Sequence, residues 1–83
     1  MSKQLIENNL RKHRFLENEM TQAELAEIVG VTRQTIIALE AGRYTPTLEL
    51  ALKLSTVFGA TVNDVFYWAD EASAIRLYRQ KDD

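Results

Sequence analysis

Apolar residues recur at helical spacing along most of this 83-residue chain. In the first segment, four apolar residues spaced among polar neighbours predict a helix over about residues 4 to 17. Those four residues are Leu5, Ile6, Leu10 and Leu16. Residues 18 to 20 are then expected to connect this helix to the next one.

A second, short helix is predicted to begin at Gln22. Thr21 and Glu24 have the spacing of a capping box, in which the Thr hydroxyl and the Glu carboxylate each accept a hydrogen bond from the other residue's backbone N–H. Gly30 supplies the left-handed conformation that ends such a helix. The residues predicted to face the core are Leu25, Ala26 and Val29.

A third helix is predicted over about residues 33 to 41, with Thr32 as its N-cap and Gly42 at its end. Ile36 and Leu39 fall on its inner face. Only about three residues join the second helix to the third, which forces a tight turn and a large crossing angle. The spacing therefore indicates a helix-turn-helix rather than two antiparallel helices lying side by side.

A fourth helix is predicted from Leu48 to Phe58. Pro46 keeps the preceding residue extended, Thr47 is the N-cap candidate, and Gly59 ends the helix. Its predicted buried stripe consists of Leu48, Ala51, Leu54, Ser55 and Phe58.

Thr61 is the cap candidate for a fifth, short helix. Its predicted inner residues are Val62, Val65 and Phe66. Residues 69 to about 80 favour a helix by composition. The predicted fold is therefore all-α: a compact five-helix domain over residues 1–68, followed by a helical C-terminal extension over residues 69–83.

Composition narrows the range of functions. Without cysteine there are no disulfides, thiolate metal sites or cysteine nucleophiles, so the cytoplasm is the expected compartment. We expect no signal peptide and no membrane-spanning segment, because no apolar run is long enough. With one histidine and no phosphate-binding glycine loop, we expect no enzyme, cofactor or metal site. The net charge is -2, so any surface that binds nucleic acid must be a local basic patch.

A set of fixed spacings covers about residues 8 to 67. Its first part reads Thr21-Gln22-x-x-Leu25-Ala26-x-x-x-Gly30-Val31-x-x-x-x-Ile36-x-x-x-Glu40-x-Gly42. Its second part reads Tyr44-x-Pro46-x-Leu48-x-Leu50-Ala51, followed by Val62 and Phe66. This pattern closely resembles the Cro-like phage-repressor (XRE) family of helix-turn-helix transcriptional regulators. A helical bundle can use many of the same residues for packing alone, so function depends on the outward-facing residues.

The resemblance implies that outward residues at the start of the third helix read base edges in the major groove of double-stranded DNA. By position these residues are Thr32, Arg33, Gln34 and Ala38. Arg33 suits guanine and Gln34 suits adenine, because each side chain can make two hydrogen bonds to that base. The alternative is that Arg33 and Gln34 are ordinary solvated residues of a first helical turn.

The resemblance also implies DNA-backbone contacts from Gln22, Thr35 and Arg43, with a solvated surface role as the less favoured alternative for each. Glu40 occupies a position where the family often pairs a carboxylate with an arginine of the first helix. Arg14 is the candidate partner, and the pair would be structural.

Three features depart from the family pattern. The stretch from Leu10 to Thr21 is one residue longer, which affects the assignment of Arg14. His13 stands where an apolar residue is usual, and a packing or surface role is expected rather than metal binding. Ile37 replaces a polar residue, which predicts an apolar contact either with DNA or with another protein.

The expected partners follow from these residues. A homodimer through the fifth helix and the C-terminal segment would read a near-palindromic operator, and Tyr67 and Trp68 are its candidate contacts. The competing function is an antitoxin-like module whose main role is to bind a partner protein. It is favoured by the acidic net charge, by Ile37 and by the aromatic run Phe66-Tyr67-Trp68.

Overall fold

A computed structural model describes residues 5–72 of the chain, and within them five helices and two short strands follow one another. The strands are β1 (Ile6–Asn8) and β2 (Phe66–Trp68), and the helices are α1 (Leu10–Leu16), α2 (Gln22–Val29), α3 (Arg33–Glu40), α4 (Leu48–Val57) and α5 (Val62–Val65). The helix predicted over residues 69 to 80 lies largely outside the described residues. The division at residue 68 remains a prediction.

The all-α prediction was wrong at both ends of the domain, where β1 and β2 form a two-stranded antiparallel sheet. Ile6 pairs with Trp68, and Asn8 pairs with Phe66. Along β1, partly buried residues alternate with the exposed Glu7, which is the two-residue period of a strand. Four apolar residues in a short segment cannot distinguish that period from a helical one, so the helix predicted over residues 4 to 17 begins six residues too early.

Asn8 explains why α1 begins at Leu10. Its side-chain oxygen accepts a hydrogen bond from the Leu10 backbone N–H at 3.2 Å, and its amide nitrogen donates to the Leu39 carbonyl at 2.8 Å. The Asn8 side chain therefore provides an acceptor for the first backbone N–H of α1 and also ties β1 to α3. At the other end of α1, Leu16 is exposed, so the prediction that it belongs to the apolar stripe was wrong.

The connection from α1 to α2 contains two consecutive non-glycine residues with left-handed backbone. Asn18 has φ 58° and Glu19 has φ 56°. Asparagine tolerates this region better than most residues, whereas glutamate is strained there. The sequence predicted a connection at this point, and the two left-handed residues lie in it, between the end of α1 and the start of α2.

The caps of the central helix pair were predicted correctly. The Thr21 hydroxyl accepts from the Glu24 N–H at 3.0 Å, and the Glu24 carboxylate accepts from the Thr21 N–H at 2.8 Å. Gly30 ends α2 with φ 79°, a conformation that side chains with a Cβ rarely adopt. Thr32 then caps α3, so the helix-turn-helix predicted from spacing is confirmed.

The core lies where α1 to α5 meet. Its buried apolar residues are Leu10, Leu25, Ala26, Val29, Ile36, Leu39, Leu50, Ala51, Leu54 and Val65. The predicted inner faces of α2 and α3 are confirmed. On α4 the prediction of Leu48 as a buried residue was wrong, because its side chain is 71% exposed, while Leu50 is only 8% exposed. The buried stripe of α4 thus starts two residues later than the pattern suggested.

Two carboxylates at helix starts make the stability of the fold depend on pH in a predictable direction. The Thr21 backbone N–H, followed by the Thr21 hydroxyl, lowers the pKa of Glu24 below its ordinary 4.5, and Thr61 lowers the pKa of Asp64 below 3.8 in the same way. A pKa that is lowered on folding stabilises the protein above the unfolded-state pKa, and that contribution disappears as the pH falls through the folded-state value.

Glu24→Gln is therefore expected to be less stable than the native protein at neutral pH, with the difference shrinking as the pH falls below about 4.5. Urea unfolding between pH 7 and pH 3 measures this. Glu27→Gln is the matched control, because Glu27 is exposed on the same helix and caps nothing. A stability difference for Glu24→Gln that is the same at every pH would contradict the assignment.

Candidate functional site

The first turn of α3 is held rigidly and points polar side chains outward. The Thr32 hydroxyl accepts from the Thr35 backbone N–H at 3.2 Å and lies 3.1 Å from the Thr35 hydroxyl. One turn later, Ile36 and Leu39 anchor the helix in the core. Cap and core together fix the direction of the turn that carries Arg33.

The four predicted base-contacting residues lie together on α3 and its cap. Thr32, Arg33 and Gln34 are exposed, and Ala38 is half-buried one turn further along. Among residues 5–72 neither Arg33 nor Gln34 has a side-chain hydrogen bond or an ion pair. Ile37, the apolar departure from the family pattern, is also half-buried. The start of α3 thus presents a cation and an amide that have no structural use in this part of the chain.

The predicted ion pair between α1 and α3 is confirmed. Arg14 Nε donates to Glu40 Oε2 at 2.6 Å, and Arg14 Nη2 donates to Glu40 Oε1 at 3.0 Å. Arg14 Nη1 also donates to the Met20 carbonyl at 2.8 Å. Both side chains are nearly buried, and the paired geometry satisfies both carboxylate oxygens. The assignment of Arg14 as the partner of Glu40 therefore holds despite the longer stretch expected between Leu10 and Thr21.

Gln22, a predicted phosphate contact, joins the same network. Its Nε2 donates to Glu40 Oε1 at 3.2 Å, which uses one of the two N–H groups of the amide. The other N–H remains for a ligand. The backbone N–H groups of Gln22 and Ala23, at the start of α2, find no acceptor within the described residues.

Arg43, a further predicted phosphate contact, follows the end of α3. The Arg43 backbone N–H donates to the Ala38 carbonyl at 2.9 Å, and the Gly42 N–H donates to the Leu39 carbonyl at 3.0 Å. Gly42 has φ 75°, which completes a Schellman motif. The motif fixes the backbone at Arg43 and leaves its side chain exposed beyond the end of α3.

One cationic residue at this surface was missed by the sequence reasoning. Arg11 lines an open groove of about 490 Å³ whose wall also includes Gln22, Arg33 and the Arg14–Glu40 pair. The available signal was its position three residues before Arg14, which places both residues on one face of α1. Despite the net charge of -2, Arg11 and Arg33 therefore place two exposed cations at the same groove, while Arg43 lies beyond the other end of α3.

His13 packs rather than projecting into this surface. Its ring stacks on Phe58 with the ring centroids 5.2 Å apart and the planes at 25°. The apolar contact explains how a histidine occupies a position where an aliphatic residue was expected. The packing role predicted for His13 is confirmed.

Comparison with known proteins places this geometry in a family. A family profile described as helix-turn-helix matches residues 10–65, which include all five helices of the described region. The chain belongs to the Cro/C1-type (XRE) family of helix-turn-helix transcriptional regulators. The family predicted from the residue pattern is thereby confirmed.

Several relatives of this XRE-family chain have names that describe regulators. An uncharacterized HTH-type transcriptional regulator of Methanocaldococcus jannaschii is 46% identical over 66 residues, covering 80% of this chain and 98% of the relative. Another, from Methanothermobacter thermautotrophicus, is 55% identical over 58 residues, covering 69% of this chain and 83% of the relative.

A solved structure supports the same fold. The clp gene regulator ClgR of Corynebacterium glutamicum matches with a TM-score of 0.59 and 34% identity, over 66% of this chain and 57% of the ClgR chain. The XRE-family chain thus spans little more than half of ClgR. Among residues 5–72, no helix has the length and apolar character needed to cross a lipid bilayer.

Proposed function

We propose that this protein is a sequence-specific transcriptional repressor that reads operator DNA in the major groove through α3. The observation that carries the proposal is the pair Arg33 and Gln34, exposed and unpartnered within residues 5–72 on a helix start fixed by the Thr32 cap. The test is competition binding, in which a preferred duplex should be bound at least about a thousandfold more tightly than mixed-sequence DNA. Equal affinity for both would contradict the proposal.

Base readout is assigned to four side chains. Arg33 donates two hydrogen bonds to guanine O6 and N7, and Gln34 pairs with adenine N6 and N7. The Thr32 hydroxyl is already used by the cap, so its methyl group and that of Ala38 contact thymine methyl groups. The relatives' names support a regulatory role, and the exposure of these residues supports their access to DNA.

Backbone contacts are assigned to Gln22, Thr35 and Arg43, which flank the base-reading residues. Gln22 has one amide N–H left after its bond to Glu40, and the neighbouring backbone N–H groups at the start of α2 favour an anion. Arg43 extends the surface beyond the other end of α3. Phosphate contacts on both sides of α3 would set its register in the groove.

Arg43→Ala is expected to weaken binding to preferred and mixed DNA alike and to lower the slope of log K against log salt by about one, because one phosphate contact is lost. Fluorescence anisotropy titrations between low and physiological salt measure the slope. Lys12→Ala removes the same charge from an exposed position on α1 and should change the slope less. An unchanged slope for Arg43→Ala would remove Arg43 from the interface.

We further propose a two-fold symmetric homodimer joined through α5 and the C-terminal segment. One recognition helix reads too few base pairs for useful specificity, and a second copy about 34 Å away would read the other half of a near-palindromic operator. Tyr67 and Trp68 remain 41% and 38% exposed on β2, directly after α5. Aromatic side chains at the edge of a small domain are well suited to being covered by a partner subunit.

Tyr67→Glu is expected to shift the protein from dimer to monomer, because it would place a charge in the middle of the covered surface. Sedimentation velocity over a concentration series measures this. Ile28→Glu, which alters an exposed apolar residue on α2, is the matched control and should leave the dimer intact. If the native protein is monomeric at every concentration and its preferred DNA site lacks symmetry, no such dimer exists.

The alternative function, an antitoxin-like module that binds a partner protein, is favoured by one specific observation. The apolar side chains of Ile28, Leu48 and Leu52 are exposed along an open groove between α2 and α4. If protein binding were the main role, charged substitutions at Leu48 would abolish the biological effect, whereas Arg33→Ala would leave it unchanged. A reporter-gene assay with both variants separates the two functions.

A further inference from the structure

The groove that Arg11 lines is formed by three helices at the proposed DNA-binding surface. Its walls come from α1, the connection between α1 and α2, the start of α2 and both ends of α3, and it is open to solvent. Its polar lining residues include Arg11, Arg14, Glu19, Gln22, Arg33 and Glu40. Polar side chains therefore surround a space large enough for a phosphate group.

The charged side chains around this groove differ in whether they are free to bind a ligand. Arg14 is neutralised by Glu40 and also bonded to the Met20 carbonyl, so its guanidinium is committed to the fold. Arg11 and Arg33 are exposed, and neither has an ion pair within residues 5–72. Glu19 is the other carboxylate of the lining, so the two free guanidinium groups exceed it by one positive charge.

We propose that Arg11 is an additional DNA-contacting residue that donates hydrogen bonds to a backbone phosphate seated in this groove. The inference rests on the proposed function and extends it to a residue outside the helix-turn-helix. Gln22 and Arg33, which are assigned to phosphate and to base, line the same groove as Arg11. DNA that engages both of them must pass this groove, and a planar guanidinium can bind a phosphate through two N–H groups.

The position of Arg11 on α1 also determines how its contact would contribute to the free energy of DNA binding. Arg14 lies one turn further along the same face of α1 and is pinned to α3, so α1 is fixed relative to Arg33. Arg11 therefore presents its charge from a rigid helix rather than from a loop. The contact would contribute affinity to any sequence and would not change base preference.

The test uses the full-length chain, its preferred duplex and a mixed-sequence duplex, each titrated across a salt series. Arg11→Ala is expected to lower the log–log salt slope by about one for both duplexes, with their affinity ratio unchanged. Lys12→Ala removes an equal charge from the next residue, which does not line the groove, and should lower the slope by clearly less. Arg11→Lys should keep the slope close to that of the native protein.

The possible outcomes separate this proposal from the proposed function. An Arg11→Ala slope equal to that of the native protein, or equal to that of Lys12→Ala, overturns the Arg11 contact even if DNA binding is specific. A native protein that binds both duplexes equally overturns sequence-specific readout, and the difference in slope between Arg11→Ala and Lys12→Ala still decides the Arg11 contact. A loss of affinity confined to the preferred duplex would mean that Arg11 reads sequence, which also overturns its assignment to a phosphate.

Discussion

Glu40→Ala is expected to lower the free energy of unfolding by about 3 kcal/mol, because it leaves a nearly buried arginine without its counter-charge. The Arg14 side chain is only 14% exposed, and Glu40 supplies two of its three acceptors at 2.6 and 3.0 Å. Without Glu40 a nearly buried guanidinium loses its counter-charge, and Gln22 loses its acceptor.

Urea unfolding of Glu40→Ala, Arg14→Ala and the double variant measures this as a double-mutant cycle. The double variant should be less destabilised than the sum of the two single variants, because neither charge is then left without its partner. Glu49→Ala is the control, since Glu49 pairs with Lys53 at 3.2 Å on the open surface of α4 and should change stability by less than about 1 kcal/mol. Additive effects in the cycle would contradict the coupling of Arg14 and Glu40.

Arg33→Ala is expected to cost about 1 to 3 kcal/mol at the preferred DNA site, or roughly 5- to 150-fold in affinity, and to relax base preference at one position of each half-site. Gln34→Ala should do the same at a neighbouring position. The reason is geometric, because both side chains are exposed in the capped first turn of α3 and have no partner within residues 5–72.

Competition binding against duplexes changed at single base pairs measures this loss of discrimination. Arg43→Ala is the control, because the loss of a phosphate contact should weaken binding to all of these duplexes equally. Unchanged discrimination in both Arg33→Ala and Gln34→Ala would contradict base readout from the start of α3. Neither side chain supports the core, so we expect both variants to keep the stability of the native protein.

The parts of the fold that depend on local interactions could be predicted from sequence. Thr21, Thr32, Thr47 and Thr61 cap their helices by bonds to a backbone N–H three residues later, which a four-residue pattern reveals. The same holds for the inner faces of α2 and α3, where the helical period separates buried from exposed residues clearly.

The parts that depend on distant contacts could not be predicted. β1 exists because it pairs with β2 about sixty residues away, and the spacing of Leu5, Ile6 and Leu10 fits a helix equally well. Leu48 matches the apolar stripe of α4, but at the first position of the helix its side chain is exposed and lines the open groove between α2 and α4. Arg11 lies at the same groove as Gln22 only through the folding of the chain, which no local sequence pattern reports.

Selection of bound sequences from random duplex DNA, performed in parallel with the native protein and with Arg33→Ala, tests sequence-specific reading by α3 most directly. The native protein should enrich a near-palindromic site with a guanine at equivalent positions of the two halves. The Arg33→Ala variant should enrich a related site in which that guanine is no longer required. A native protein that enriches no sequence, or two proteins that enrich the same site with the same base preferences, would contradict the account.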